Sequence, residues 1–241
     1  MGDLYLLLYN ITMGLRVENL VCKEYYHLYN RGNGKNDIFL DKEDYDHFIK
    51  LLYVCNSKRK LVFRENIVNP KIEAFDFEIG TPIVSILAWV LMPNHFHLFV
   101  ISHRSDLWEE EYNPITEFMR KLSTAYAMYF NKKYSRTGSL FEGKFKSKIV
   151  KEENYFNYLF SYIHLNPIKL IQSDWKQKGI KDKNKAKEYL KKYYYSSFYD
   201  YFLENRKEIK IINKKFLPEY LKNSHINDLF NWINLDHDQI P

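Results

Sequence analysis

Residues 83–101, IVSILAWVLMPNHFHLFVI, constrain this chain more than any other stretch. Ile83 to Leu91 is apolar apart from Ser85 and partly β-branched, the composition of a strand buried on both faces. It falls well short of the roughly 20 apolar residues that a membrane helix needs. Met92-Pro93-Asn94 forces a turn, because proline has no N–H for a central ladder. His95 to Ile101 then returns, and the spacing predicts an antiparallel partner strand. Side chains alternate with period two, so His95 and His97 face one side and Phe96 the other.

The flanking segments supply what such a ribbon must pack against. Glu24 to Arg31 reads as a strand stopped by Gly32-Asn33-Gly34. Asp41 is an N-cap candidate, with Asp44 three residues on, and Tyr45, Phe48, Ile49 and Leu52 recur at helical spacing to about Cys55. Within 58–80, a candidate insertion, Phe75, Phe77 and Ile79 alternate as in a strand, while Asn69-Pro70 breaks what precedes them. Pro114 opens a long amphipathic helix with Ile115, Phe118, Leu122, Tyr126 and Tyr129 along its buried stripe. Leu140 to Val150 reads as an extended basic segment around Gly143. A last helix of this series starts near Glu152, carries Tyr155, Leu159, Tyr162 and Ile163 on one side, and meets Pro167. The sum is an α+β fold, helices packed on an antiparallel sheet, with a Lys- and Tyr-rich helical extension at the C-terminal end.

The chain has 241 residues, 46% of them apolar and 17% aromatic, which supports a large core and excludes a disordered or low-complexity class. Two cysteines, Cys22 and Cys55, form no CxxC unit, so a reduced, cytoplasmic protein is expected. The first residues, MGDLYLLLYNITMG, carry an acid and no basic flank, unlike a secretion signal, and position 6 is Leu, unlike a myristoylation site. Met13 is an alternative start. The net charge is +6 and uneven: residues 120–151 hold nine Lys or Arg against Glu142 alone, interleaved with six aromatic residues. Cations bind phosphates and flat rings stack on bases, so this mixture suits single-stranded nucleic acid. A solvated helix face beside a half-buried hairpin accounts for it equally well.

Two imidazoles on one strand face suit a metal half-site. Eight histidines in 241 positions produce about 0.26 His-x-His pairs by chance, so spacing alone leaves open a pair packed under a helix. Tyr162 and Asn166 stand four apart, so a continuous helix puts both on one face, but Tyr26/Asn30, Tyr29/Asn33 and Tyr201/Asn205 have the same spacing, which does not choose among them.

Four segments in order single out one choice. Tyr26 to Phe39 (YHLYNRGNGKNDIF) with Asp44-Tyr45, Ala88 to Val100 (AWVLMPNHFHLFV), Ser135 to Val150 (SRTGSLFEGKFKSKIV) and Tyr162 to Pro167 (YIHLNP) resemble the REP-associated tyrosine transposases and their insertion-sequence relatives, the single-tyrosine branch of the HuH endonucleases. Asp174-Trp175 and Tyr195-Ser196-Ser197-Phe198 are similar to a later aromatic and serine segment of that family. The likeness spans about residues 25–200. It implies a ferredoxin-like or RRM-like antiparallel sheet with helices on one face. It implies that Tyr162 is a nucleophile toward single-stranded DNA and leaves a 5′-phosphotyrosine link and a free 3′ hydroxyl. His95, His97 and Asn166 would hold one divalent ion, Mg or Mn, with no nucleotide cofactor. Arg31, Arg120, Lys121, Arg136, Lys144, Lys146 and Lys148 would line the DNA groove. His164 is near enough in sequence to Tyr162 and Asn166 to support them from behind, with a packing or surface role as its plainer reading. The substrate would be a single strand folded into a hairpin at a REP-like palindrome, and the protein a nucleoid-associated monomer or homodimer with no membrane partner.

The expected organisation is an N-terminal extension over 1–22, a catalytic domain over 23–173 and a C-terminal extension over 174–241. Two other readings of the same residues remain: a non-catalytic binder of single-stranded DNA or RNA, and a zinc hydrolase using His95 and His97 with a water nucleophile. The segment 58–80 and the chain beyond Trp175 depart most from the family pattern.

Overall fold

The computed structural model describes residues 20–59, 62–102 and 113–233. The N-terminal run with its alternative start at Met13 lies outside them. Four strands, β1 (Tyr25–Arg31), β2 (Val84–Met92), β3 (His95–Ser102) and β4 (Lys146–Val150), form one antiparallel sheet in the order β2-β3-β1-β4. The longer helices are α1 (Lys42–Val54), α2 (Pro114–Lys133), α3 (Glu153–Leu165) and α5 (Lys183–Lys192). Short ones follow the same chain order: α4 (Trp175–Lys178) before α5, then α6 (Phe198–Phe202), α7 (Glu219–Lys222) and α8 (Ile226–Trp232). The fold is α+β, and no helix among the described residues is long and apolar enough to cross a membrane.

The alternation of β1 to β3 sorts the molecule into two cores. Tyr26, Leu28, Phe96, Leu98 and Val100 point to α1 and α2, the helices expected on one face. Val90, Phe99, Ile101 and Val150 point the other way, to α3 and the C-terminal helices, so the second face is covered too. A bulge between Ile86 and Ala88 makes this possible, because it sends Leu87 and Ala88 to the same side and restores alternation from Trp89 onward.

The continuous apolar run of β2 reads as a central strand, yet β2 ends the strand order. The C-terminal extension reconciles the two, because its backbone closes the outer edge of β2. Leu91 N–H donates to Tyr195 O, Ser197 N–H to Trp89 O and Asn213 N–H to Ile86 O, each at 2.9 Å. Tyr193 and Tyr201 add side-chain hydrogen bonds to the carbonyls of Leu91 and Leu87. An edge buried this way offers no template for further pairing.

That closure also explains a corrected expectation. Phe75, Phe77 and Ile79 do not form a strand; Ala74–Asp76 is a single 3-10 turn that buries Phe75, and Ile79 tucks in after it. The outer edge of β2 is already taken by backbone from Tyr195, Ser197 and Asn213. The entry to β2 is held by Asn56 instead, whose Oδ1 accepts from the N–H groups of Ile83 and Val84 while its Nδ2 donates to Val84 O, all at 2.9 Å.

The loop after β1 rests directly on the β2–β3 turn. Gly32 N–H donates to Asn94 O at 2.9 Å, and a Cβ at Gly32 would stand 2.1 Å from Asn36 O, so the close approach requires glycine. This contact places the strand end that carries Arg31 beside the strand start that carries His95.

Candidate active site

The sheet register assembles the site. Tyr29 lies opposite His97 and Arg31 opposite His95, while on the other side of β1 Tyr29 faces Lys146 and His27 faces Lys148. Opposed residues share a face, so these side chains all project toward α3. That helix forms because Tyr155, Leu159, Tyr162 and Ile163 recur at helical spacing, and it packs on the sheet through them. Tyr162 Oη comes to rest 3.4 Å from His97 Nε2, with the two rings edge to face at 5.3 Å. Asn166 follows at the junction of α3 and a 3-10 turn, Asn166–Leu170. It keeps helical backbone angles, so its side chain stays below that of Tyr162 although Pro167 ends the regular helix.

Each histidine is held by its Nδ1. His95 Nδ1–H donates to Asn94 Oδ1 at 2.6 Å, which leaves Nε2 as a bare acceptor. His97 Nδ1 is 2.8 Å from Nε2 of His27, a buried residue that the His-x-His pattern did not include. Its signal was nonetheless present, since His27 sits two residues before Tyr29 in β1 and period two carries both to the site face. Two fixed imidazoles with their Nε2 atoms turned to the pocket, that of His97 toward Tyr162 Oη, and an Asn166 Oδ1 that is buried without a hydrogen-bond partner, make a set of two nitrogen donors and one amide oxygen of the kind a divalent cation takes. Among the described residues no cluster of three or more His, Cys, Asp or Glu is arranged for a metal.

These groups open onto a cavity of about 460 Å³. Arg31, Lys35, Lys144, Lys146, Lys169 and Lys176 line it, against one acid, Glu142, which is itself paired with Arg31. A cleft with that balance focuses positive potential on an anion. Burial raises the pKa of Tyr162 above the ordinary phenol value, and the Asn166 amide opposes this in part. The phenol is therefore protonated in the resting pocket, and positive charge beside it works toward the phenolate.

Burial has the opposite sign for imidazoles. It lowers His27 and His164 to about 3 and His47 and His95 to about 4, and it holds His97 well below the usual value. Above pH 6.5 both folded and unfolded states are neutral at these sites. As pH falls from 6.5 toward 4 the unfolded chain takes up protons that the folded chain refuses. Stability is then lost, by up to about 1.4 kcal/mol per pH unit for each such histidine. We expect the melting temperature to drop steadily between pH 6.5 and 4.5; a flat profile over that interval would mean these rings are not buried as described.

The expected groove residues divide. Arg31, Lys144 and Lys146 line the cavity, and Lys148 stands beside them with Nζ 4.6 Å from the Tyr155 ring centroid. Arg120 and Lys121 are elsewhere, because α2 covers the opposite face of the sheet, and Arg136 just follows the end of that helix. Arg120 forms a two-pronged pair with Glu117, Lys121 Nζ donates to Ser57 O at 2.6 Å, and Arg136 lies over Phe130. Lys121 Nζ also donates to Arg59 O at 3.3 Å, which ties the start of the 58–80 segment to the helix. His164 is buried, with Nε2 2.8 Å from Ser197 Oγ, and joins α3 to the C-terminal extension. Lys169 and Lys176 belong to the cavity but had no motif to mark them.

Residues 43–166, just over half of the chain, match the model of the family described as "Transposase IS200 like". No curated protein matches the chain. Among solved structures, similarity is found to a REP-associated tyrosine transposase bound to a REP hairpin, at 12% identity and a TM-score of 0.45 over 78% of this chain and 85% of that one. A Deinococcus radiodurans R1 protein described as a transposase is 16% identical, with a TM-score of 0.32 over 62% of this chain and 95% of its own. A bacterial tRNA(His) guanylyltransferase-like protein in complex with ATP is 12% identical, with a TM-score of 0.37 over 92% and 83% of the two chains.

Proposed function

Because the chain belongs to the IS200-like transposase family, we propose that it cuts and rejoins single-stranded DNA at a hairpin, with Tyr162 as its nucleophile. The observation that carries this reading is the approach of Tyr162 Oη to His97 Nε2, 3.4 Å, inside a cation-lined cavity. Tyr162 Oη attacks the phosphorus in line. The Oη–P bond forms as the P–O3′ bond breaks, the phenol proton passes to solvent in the pocket, and the leaving 3′ oxygen takes one up. The product is a 5′-phosphotyrosine, an ester that keeps the bond energy for rejoining by a 3′ hydroxyl.

His95 and His97 through Nε2, and Asn166 through Oδ1, would hold one Mg or Mn ion. Such an ion, when bound, polarises the phosphate oxygens and offsets their growing charge. His27 and Asn94 keep the two rings turned to the pocket. Arg31, Lys144, Lys146 and Lys148 bind the flanking phosphates, which sets the strand in register without reading its bases.

The test is a denaturing gel of labelled hairpin DNA incubated with the protein and Mg or Mn. A slow-migrating protein–DNA species that disappears with EDTA and returns with excess Mn is expected. Salt-sensitive binding with no adduct under any metal would instead support a binding module, and free cleaved products without adduct would support a water nucleophile.

A further inference from the structure

Lys176 is one of three cations lining the pocket, with Lys35 and Lys169, that have no task in the scheme above. It lies in α4, beyond the segment that matches the family model, and its Nζ stands 4.1 Å from the centroid of the Tyr162 ring. The neighbouring Trp175 is buried and stacks toward the same ring at 6.4 Å, which anchors α4 there. Lys169 lines the cavity from the 3-10 turn that starts at Asn166. Among the described residues neither lysine has a carboxylate within ion-pair distance, whereas exposed Lys178 of the same short helix pairs with Asp174 at 3.2 Å. Burial, and then the charge of Lys169, hold the Lys176 ammonium down to about 8.

Two cations side by side without a carboxylate partner, one of them half-buried, repel one another and gain from an anion between them. The cavity already holds the nucleophile and the imidazole pair, so an anion seated between them is a phosphodiester at the point of attack. Resting on the tyrosine reading above, we infer that Lys176, with Lys169 beside it, grips the phosphate undergoing attack and stabilises the Tyr162 phenolate. A phenolate spreads negative charge into its ring, so a cation over the ring face favours it more than it favours the phenol. As the Oη–P bond forms and the P–O3′ bond breaks, the ammonium keeps its three protons and donates to the phosphate oxygens. It is a charge-assisted donor and not the base.

The test uses the full chain with labelled hairpin DNA and Mn under single-turnover conditions. Lys176→Ala is expected to slow adduct formation about 100-fold, Lys176→Arg to restore it to within about tenfold of wild type, and Lys178→Ala to stay within about twofold. A second readout needs neither metal nor chemistry: DNA binding in EDTA on a Tyr162→Phe background. There Lys169→Ala and Lys176→Ala should each lower the slope of log Kd against log salt by about 0.7, one phosphate contact apiece. A wild-type adduct rate in Lys176→Ala overturns the inference while the tyrosine reading stands. A slowed rate with an unchanged salt slope also overturns it, since that pattern belongs to a structural lysine. Absence of any adduct with the wild-type protein overturns both.

Discussion

Replacing Tyr162 with phenylalanine should abolish the covalent protein–DNA species, at least 1000-fold by the order of magnitude expected when a lone nucleophile is removed. Fold and DNA binding should persist. The substitution deletes a single oxygen whose hydrogen bond to His97 is long, 3.4 Å, so its loss costs no more than about 1 kcal/mol. The ring keeps its neighbours Tyr158, Trp175 and His97 and the cation above it. The measurement is adduct yield on a denaturing gel beside DNA affinity by fluorescence anisotropy. Cleavage that survives in Tyr162→Phe would remove the tyrosine mechanism, and a parallel loss of affinity would show that the change had damaged the pocket and not only the chemistry.

The second large effect concerns stability. Arg206→Ala should lower the unfolding free energy by about 3–5 kcal/mol, the range for one partner removed from a buried ion pair. The guanidinium donates to both oxygens of buried Asp200 at 2.8 Å and to the carbonyls of Tyr194 and Ser196 at 2.7 Å, and it lies over the rings of Trp89 and Tyr199. Burial already pushes the Asp200 carboxyl up, and Arg206 is the main group holding it down. Without Arg206 an uncompensated acid is left beneath the segment that closes the edge of β2. Arg206→Lys should recover little, because an ammonium cannot span a carboxylate and two carbonyls at once. Pairing Arg206→Met with Asp200→Leu should recover most of the loss, since no buried charge remains. Urea unfolding followed by tryptophan fluorescence reads all four proteins; an unchanged midpoint in Arg206→Ala would mean that the extension is not held by this pair.

What was legible in the sequence followed from short-range rules. The apolar run, the proline turn and period two in residues 83–101 yielded the β2–β3 pair and the common face of His95 and His97. Capping and helical spacing yielded α1, α2 and α3. The misreadings arose where partners distant in sequence decide. Phe75, Phe77 and Ile79 alternate like a strand, but the edge they would need is occupied by residues from 195 to 213. Arg120 and Lys121 are as basic as Lys144 and Lys146, yet α2 packs on the wrong side of the sheet for the cavity, which no local pattern reveals. His27 was visible as a strand residue but gained meaning only once β1 was seen beside β3. Lys176 carries no motif at all, and its place over Tyr162 depends on how Trp175 docks.

The central claim is that one particular phenol makes the bond to DNA. It is tested most directly by digesting the adduct with protease and nuclease and sequencing the nucleotide-bearing peptide by mass spectrometry. The expected result is a 5′-phosphonucleotide on Tyr162, in the peptide that also contains Tyr158, one helical turn earlier with its ring parallel at 6.1 Å. A nucleotide on Tyr158, or on any residue other than Tyr162, would contradict it.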